Sequence, residues 1–333
     1  MDDEQTELNK DLCIAAMQKD IHAVRGLVEI RADVNYTYPG NGCPALIYAV
    51  NNRHHAQDII NFLLANSAIV DQPTTRYNST ALVTAARLGK LPLIKTLVVF
   101  RANVNHEDAL GRNALWVAVH LKSMEMVQYL VENGANVGHS FRSGYSILQQ
   151  AALIGDLEII TYLLANKADV NYKTPQGRTA LHSAANANTS ADVVKLLLAN
   201  GAHVHVADER GHTALHDAVS SNCVETAKIL LAHGITTDGA YCNGNTLFTW
   251  AARCGYKEMF RCLLEHQFGP SHSIWLRGQH PFDYLSHESQ QQCTLLARLW
   301  SMRLSRPVNT FALLPLELLH MLLCFLSSAH FDD

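Results

Sequence analysis

Residues 177–207 read GRTALHSAANANTSADVVKLLLANGAHVHVA. Gly177 marks a turn, residues 180–187 read as a short helix, residues 191–199 as a second, and Gly201 as its stop before an extended finger. The leucine of the T-A-L-H in this stretch, Leu181, has counterparts at Leu12, Leu46, Leu82, Leu115, Leu148 and Leu215, then at Phe248 and, more loosely, Phe282. The differences between successive positions are 34, 36, 33, 33, 33, 34, 33 and 34, the regularity of a stacked array. A chain of 333 residues is long for one compact core, but an array grows linearly and escapes that limit.

A second landmark keeps the same period. A leucine-rich helix closes on Ile30-Arg-Ala-Asp-Val-Asn35, Phe100-Arg-Ala-Asn-Val-Asn105, Asn133-Gly-Ala-Asn-Val137, Asn166-Lys-Ala-Asp-Val-Asn171 and Asn200-Gly-Ala-His-Val204. Together with G-x-T-A-L-H-x-A-A, these motifs resemble the ankyrin repeat in wording and in spacing. The resemblance covers about residues 8–290 and implies an all-α ankyrin-repeat solenoid of eight clear units, with a degenerate ninth at residues 278–285 as a cap. Small residues on the packed face (Ala151 and Ala152, Ala184 and Ala185, Ala251 and Ala252) let neighbouring helices approach closely. No unit can bury its apolar face alone.

Charge and cysteine usage narrow the setting. A formal net charge of -4 gives no basic field for nucleic acid and no acidic block. Eight cysteines without a C-x-x-C, behind a polar start with no signal peptide, read as reduced thiols in the cytoplasm or nucleus, or in a host cytosol for a secreted effector. The most apolar stretch, residues 311–326, is interrupted by Pro315, Glu317 and His320 and is too short to span a bilayer. No membrane partner is expected.

Catalytic signatures are missing: there is no phosphate-cradling G-x-x-x-x-G-K-[ST], no H-E-x-x-H, no G-x-S-x-G and no kinase set. The chain reads as a non-enzyme without cofactor or metal. His182 and His216 sit in T-A-L-H, where the family uses the ring to hold the turn. Cys242, Cys254, Cys262 and His266 have spacings of 12, 8 and 4, which match no zinc pattern.

Binding is what such a repeat offers. In the family, partners meet the finger tips and the first-helix face that lines the concave groove. The two positions after each A-A or A-V pair include Arg87 and Leu88, His120 and Leu121, and Leu153 and Ile154, so that Leu88, Leu121 and Ile154 stand 33 apart. Tyr48, Trp116 and Trp250 flank the same face. An apolar stripe with aromatic neighbours is expected to dock a protein. The competing expectation is that these side chains tuck against the next helix.

After residue 290 the repeat stops, and residues 291–333 form a separate tail expected to be helical. Leu314-Pro-Leu-Glu-Leu-Leu-His-Met-Leu-Leu-Cys-Phe-Leu326 places Pro315 and Glu317 at a helix start and its leucines on one face. It resembles the opening of an F-box, L-P-x-E-[LI]-L-x-x-[IL]-L-x-[FY]-L, in the truncated, PRANC-like form of poxviral and some intracellular-bacterial ankyrin proteins. That resemblance implies that Leu314, Pro315, Leu318, Leu322 and Phe325 contact a Skp-type adaptor and so recruit a cullin ubiquitin ligase. A SOCS box is the second resemblance, with residues 295–304 as the elongin-binding helix and Leu314-Pro-Leu316 opening the cullin motif, although Glu317 stands where that family has proline. The plain alternative is a helix that only caps the last repeat. The expectation from sequence is therefore a substrate receptor, one copy per complex, holding a protein in the groove and presenting it to a ligase; the alternative is a scaffold or inhibitor of one protein partner.

Overall fold

The computed structural model describes residues 2–51, 56–186, 191–235, 247, 250, 251 and 254–265. The described residues are predominantly helices joined by turns and follow the repeat period read from the sequence. They group into two compact units, residues 1–151 with 156–169, and residues 152–155 with those from 170 onward.

In the first unit, inner helices α1 (Asp2–Gln18), α3 (Ala45–Asn51), α5 (Ala81–Arg87) and α7 (Ala114–His120) each turn back into an outer helix: α2 (Ile21–Glu29), α4 (Ala56–Ala65), α6 (Leu91–Val99) and α8 (Met124–Glu132). Inner helices pack on one another in the order α1, α3, α5, α7. The next pair is α9 (Ile147–Ile154) and α10 (Leu157–Ala165). In the second unit, α11 (Ala180–Asn186) pairs with α12 (Ala191–Ala199) and packs on α13 (Ala214–Ser220); α13 pairs with α14 (Val224–Ala232), against which α15 (Lys257–Glu265) rests. The fingers are mostly turns. Only the first carries strands among the described residues, β1 (Thr37–Tyr38) antiparallel to β2 (Cys43–Pro44).

Beyond α1, each inner helix is about two turns long, too short to persist alone in water. Its stability comes from being enclosed. In α5, Ala81, Leu82, Val83, Thr84, Ala85 and Ala86 are all buried, and α11 repeats this from Ala180 to Ala185. Outer helices bury one stripe only: Leu93, Ile94 and Leu97 in α6, Met126, Val127 and Leu130 in α8, Val193, Val194 and Leu197 in α12. Burying each such leucine contributes about 1.5–3 kcal/mol.

The T-A-L-H motif is a capping device. At α11 the Thr179 N–H donates to His182 Nδ1 at 3.1 Å, and at α13 the Thr213 N–H does the same to His216. His stands here where a capping box ordinarily has Glu or Gln. At α9 the reciprocal box is made by Ser146 and Gln149, whose Oε1 accepts from the Ser146 N–H at 2.7 Å and whose N–H donates back to the Ser146 hydroxyl. Asn113 caps α7 through Trp116 N–H, 2.9 Å.

Successive fingers are joined by asparagines. Asn105 Nδ2 donates to the Gly134 carbonyl at 3.0 Å while its Oδ1 accepts from Asn136 N–H at 2.8 Å. Asn35 makes the same bracket to Ser67 and Ile69, and Asn171 to Gly201 and His203. The first inner helix is longer than its counterparts, starting at Asp2 rather than at the repeat register.

Candidate protein-binding face

In the first unit the C-terminal ends of the inner helices open onto solvent. Leu88 and Leu121 are the C-cap residues of α5 and α7, 38% and 44% exposed, each beside an exposed basic residue of the last helical turn, Arg87 and His120. They stay exposed because the chain reverses at once, through Gly89 and Lys122 with φ of 67° and 54°, to enter the outer helix. The sequence register aligns Ile154 with them. In the structure α9 runs one residue further, so Ile154 is its last helical residue and is half-buried, and Leu153 is the exposed one.

A cavity of about 400 Å³ lies between the second and third repeats of this unit, lined by Asn41, Cys43, Ile47, Asn51, Thr74, Tyr77, Ser79, Thr84, Arg87 and Leu88. Most of its polar lining is already engaged. Asn41 donates to the Tyr48 hydroxyl at 2.7 Å and accepts from Cys43 N–H at 3.1 Å; the Ser79 and Thr84 hydroxyls bond to each other at 3.3 Å. Burial pushes the Cys43 thiol up to about 12 and Cys13 to about 11, so neither supplies a thiolate nucleophile near neutral pH.

One repeat further on is an aromatic cluster. Trp116 stacks on His120 (centroids 5.0 Å, planes 7° apart) and meets Phe141 edge-on at 6.0 Å; Phe141 in turn stacks on Tyr145. Arg112 lies over the Trp116 indole, 5.2 Å from the ring centroid, and is fixed there by two hydrogen bonds to Asp108 at 2.9 and 2.8 Å. Burial of Asp108 opposes its ionisation, but the Arg112 bonds and the N–H groups of Arg112 and Leu110 outweigh it and hold the carboxyl below its ordinary value. Trp116 Nε1 and Asn113 Nδ2 are buried without a hydrogen-bond partner. Tyr48 is half-buried and packs edge-on against Tyr38. Thus Arg87 and Leu88 line the cavity, with Tyr48 bonded to its Asn41, while Trp116 and His120 belong to the aromatic cluster and Leu121 follows His120 as the helix cap. Arg112 and Tyr145, which come from successive fingers rather than from inner helices, were not among the residues the sequence pattern singled out.

The second unit holds Trp250, half-buried, and a polar cluster. Arg178 reaches Asp217 at 2.9 Å and Asp208 at 3.4 Å. Burial nonetheless raises the Asp217 carboxyl to about 6 against the pull of Arg178, and burial lowers His182 to about 4. Cys254 is exposed and Cys262 buried. The tail residues Leu314, Pro315, Leu318, Leu322 and Phe325, the ninth unit, and Cys242 and His266 lie outside the described residues. Among the described residues no helix is long and apolar enough to cross a membrane.

The family model described as ankyrin repeats (3 copies) matches in four overlapping stretches, residues 12–108, 82–174, 148–239 and 181–276, and the chain belongs to the ankyrin-repeat family. No curated protein matches it. The fold is an all-α ankyrin solenoid, and its repeats make it a protein-interaction module.

Proposed function

We propose that the chain is a protein-binding adaptor that holds its partner on the inner-helix face of the first unit, and that residues 314–326 recruit a second protein. The observation that carries the first half is the pairing of exposed Leu88 and Leu121 with an open cavity and a rigid aromatic cluster on one face. Isolated exposed leucines are ordinary; apolar residues repeated at the period of the array beside aromatics and arginines have the composition of the buried centre of a protein interface. Leu153, Ile154 and Trp250 belong to the same reading for the second unit.

The recruiting half rests on the motif in Leu314-Pro-Leu-Glu-Leu-Leu-His-Met-Leu-Leu-Cys-Phe-Leu326. On this reading Leu314, Pro315, Leu318, Leu322 and Phe325 contact a Skp-type adaptor, or elongin on the SOCS-box reading, and the chain links a protein substrate to a cullin ligase. Affinity purification of the full chain from eukaryotic cells tests it. A Skp-type adaptor or elongin should co-purify with the wild type and be lost with Leu318→Asp plus Leu322→Asp, while the groove partner is retained. Recovery of a groove partner with neither adaptor would leave a scaffold or inhibitor of a single protein.

A further inference from the structure

We infer that the cavity between the second and third repeats receives an apolar side chain of an extended acidic segment, with a carboxylate next to that side chain in sequence meeting Arg87. The inference rests on the reading of this face as a protein-binding one and specifies the chemistry of what binds.

Shape selects the apolar part. At about 400 Å³ the cavity is near the small end of ligand pockets, which run roughly 300–1,000 Å³. Cys43, Ile47 and Leu88 supply apolar wall, the Asn41 amide is bonded to Tyr48 and Cys43, the Ser79 and Thr84 hydroxyls bond each other, and the Thr74 hydroxyl accepts from Ser79 N–H. An apolar side chain seated against this part of the lining leaves those groups bonded, so that little desolvation there opposes binding.

Charge selects the rest. Arg87 is the one charged residue of the lining, and among the described residues its side chain has no carboxylate partner. Arg76 lies over the ring of Tyr77, a lining residue, 5.1 Å from its centroid, and among the described residues has no carboxylate partner either. The chain as a whole is acidic, at -4, so Arg87 on the cavity wall, with Arg76 on the ring of the lining residue Tyr77, is a local departure from its net charge. A partner with acidic residues complements it; a basic one is repelled. Arg87 offers a fork of donors that a carboxylate can engage in pairs.

The test is to pan the full chain against a display library of random peptides, then to measure binding of the enriched peptide, synthesised with an amidated C-terminus. The expected result is an apolar residue beside Asp or Glu, with affinity lowered about tenfold by Arg87→Gln and further by Arg87→Glu, and with thermal melting of both variants unchanged. Loss of binding on amidation would assign the carboxylate to a chain terminus and overturn the side-chain assignment. Enriched peptides that depend on Leu88 (lost with Leu88→Glu) but not on Arg87 would overturn the acidic partner while leaving the groove reading intact. No enrichment, or peptides indifferent to both residues, would overturn the cavity as a binding site and count against the groove reading with it.

Discussion

His182 Nε2 donates to the carbonyl of His212, 3.1 Å away in the following repeat. The direction of that bond is fixed at the other ring nitrogen, because Nδ1 accepts from Thr179 N–H. One imidazole therefore caps its own helix and ties two repeats together, in its neutral form. A proton on Nδ1 would face a donor in a buried site.

The pH dependence follows from this cluster. Burial lowers His182 from 6.5 to about 4, so the unfolded chain binds the extra proton between those values; the stability this represents is complete above pH 6.5 and is lost as pH falls to about 4. Asp217 runs the other way. Burial raises it from 3.8 to about 6, so the folded chain holds the extra proton, and stability falls as pH rises through that window. The two slopes oppose each other, each about 3 kcal/mol in total. Denaturant melts from pH 4 to 7 should show Asp217→Asn unmasking a rise in stability with pH and His182→Gln unmasking a fall. Gln149 shows that glutamine can serve at this helix position, so His182→Gln should cost less than His182→Ala, whose loss of the cap is expected at about 1–2 kcal/mol. Parallel pH profiles for wild type and both variants would remove the assignment.

The finger brackets make a separate prediction. Asp71 occupies the place of Asn35, Asn105 and Asn171 and accepts from Asn103 N–H at 2.9 Å, but a carboxylate has no donor for the Arg101 carbonyl that the register sets opposite it. Asn105→Ala should cost about 1 kcal/mol, two hydrogen bonds at an exposed site, whereas Asp71→Asn should gain about 0.5–1 kcal/mol. Equilibrium urea unfolding reads both. An Asp71→Asn variant weaker than wild type would contradict the donor argument.

Outer helices end in a left-handed residue, and several of these are not glycine: Arg31, Arg101 and Lys167 have φ of 70°, 64° and 66°, where Gly134, Gly201 and Gly234 do the same work in other repeats. A side chain in this region costs about 1–2 kcal/mol, partly offset by the greater freedom glycine has when unfolded. Arg101→Gly and Lys167→Gly should each raise the melting temperature, by about 0.5–1 kcal/mol equivalent. A lowered melt in both would show that the long side chains hold contacts outweighing the strain.

These features mark where sequence reading succeeds and stops. The period of Leu181 and its counterparts, with Thr179 before and Gly201 after, placed the second helix of that repeat at residues 191–199, where it lies, because caps and apolar register are local properties. At Arg101 and Lys167 the repeat register located the helix stop but not its left-handed backbone, since a lysine in a left-handed turn looks like any other lysine. Ile154 shows a finer limit: a one-residue extension of α9 buries it by half and exposes Leu153, and helix ends depend on packing beyond their own repeat. The cavity could not be read from the pattern, because its walls join Cys43 and Ile47 to Thr84 and Leu88, residues that only stacking brings together. The Arg178 to Asp217 pair spans two repeats for the same reason.

The central claim is that the inner-helix face of the first unit binds protein, and one comparison tests it most directly. Leu121 and Val99 are both exposed apolar residues, 44% and 75%, but Leu121 caps an inner helix and Val99 ends an outer one. Partners purified with the wild-type chain should be lost with Leu121→Glu and retained with Val99→Glu, both variants melting as the wild type does. Retention with Leu121→Glu and loss with Val99→Glu would place the interface on the outer helices. A Leu121→Glu melt lowered by several kcal/mol would show instead that Leu121 belongs to the core.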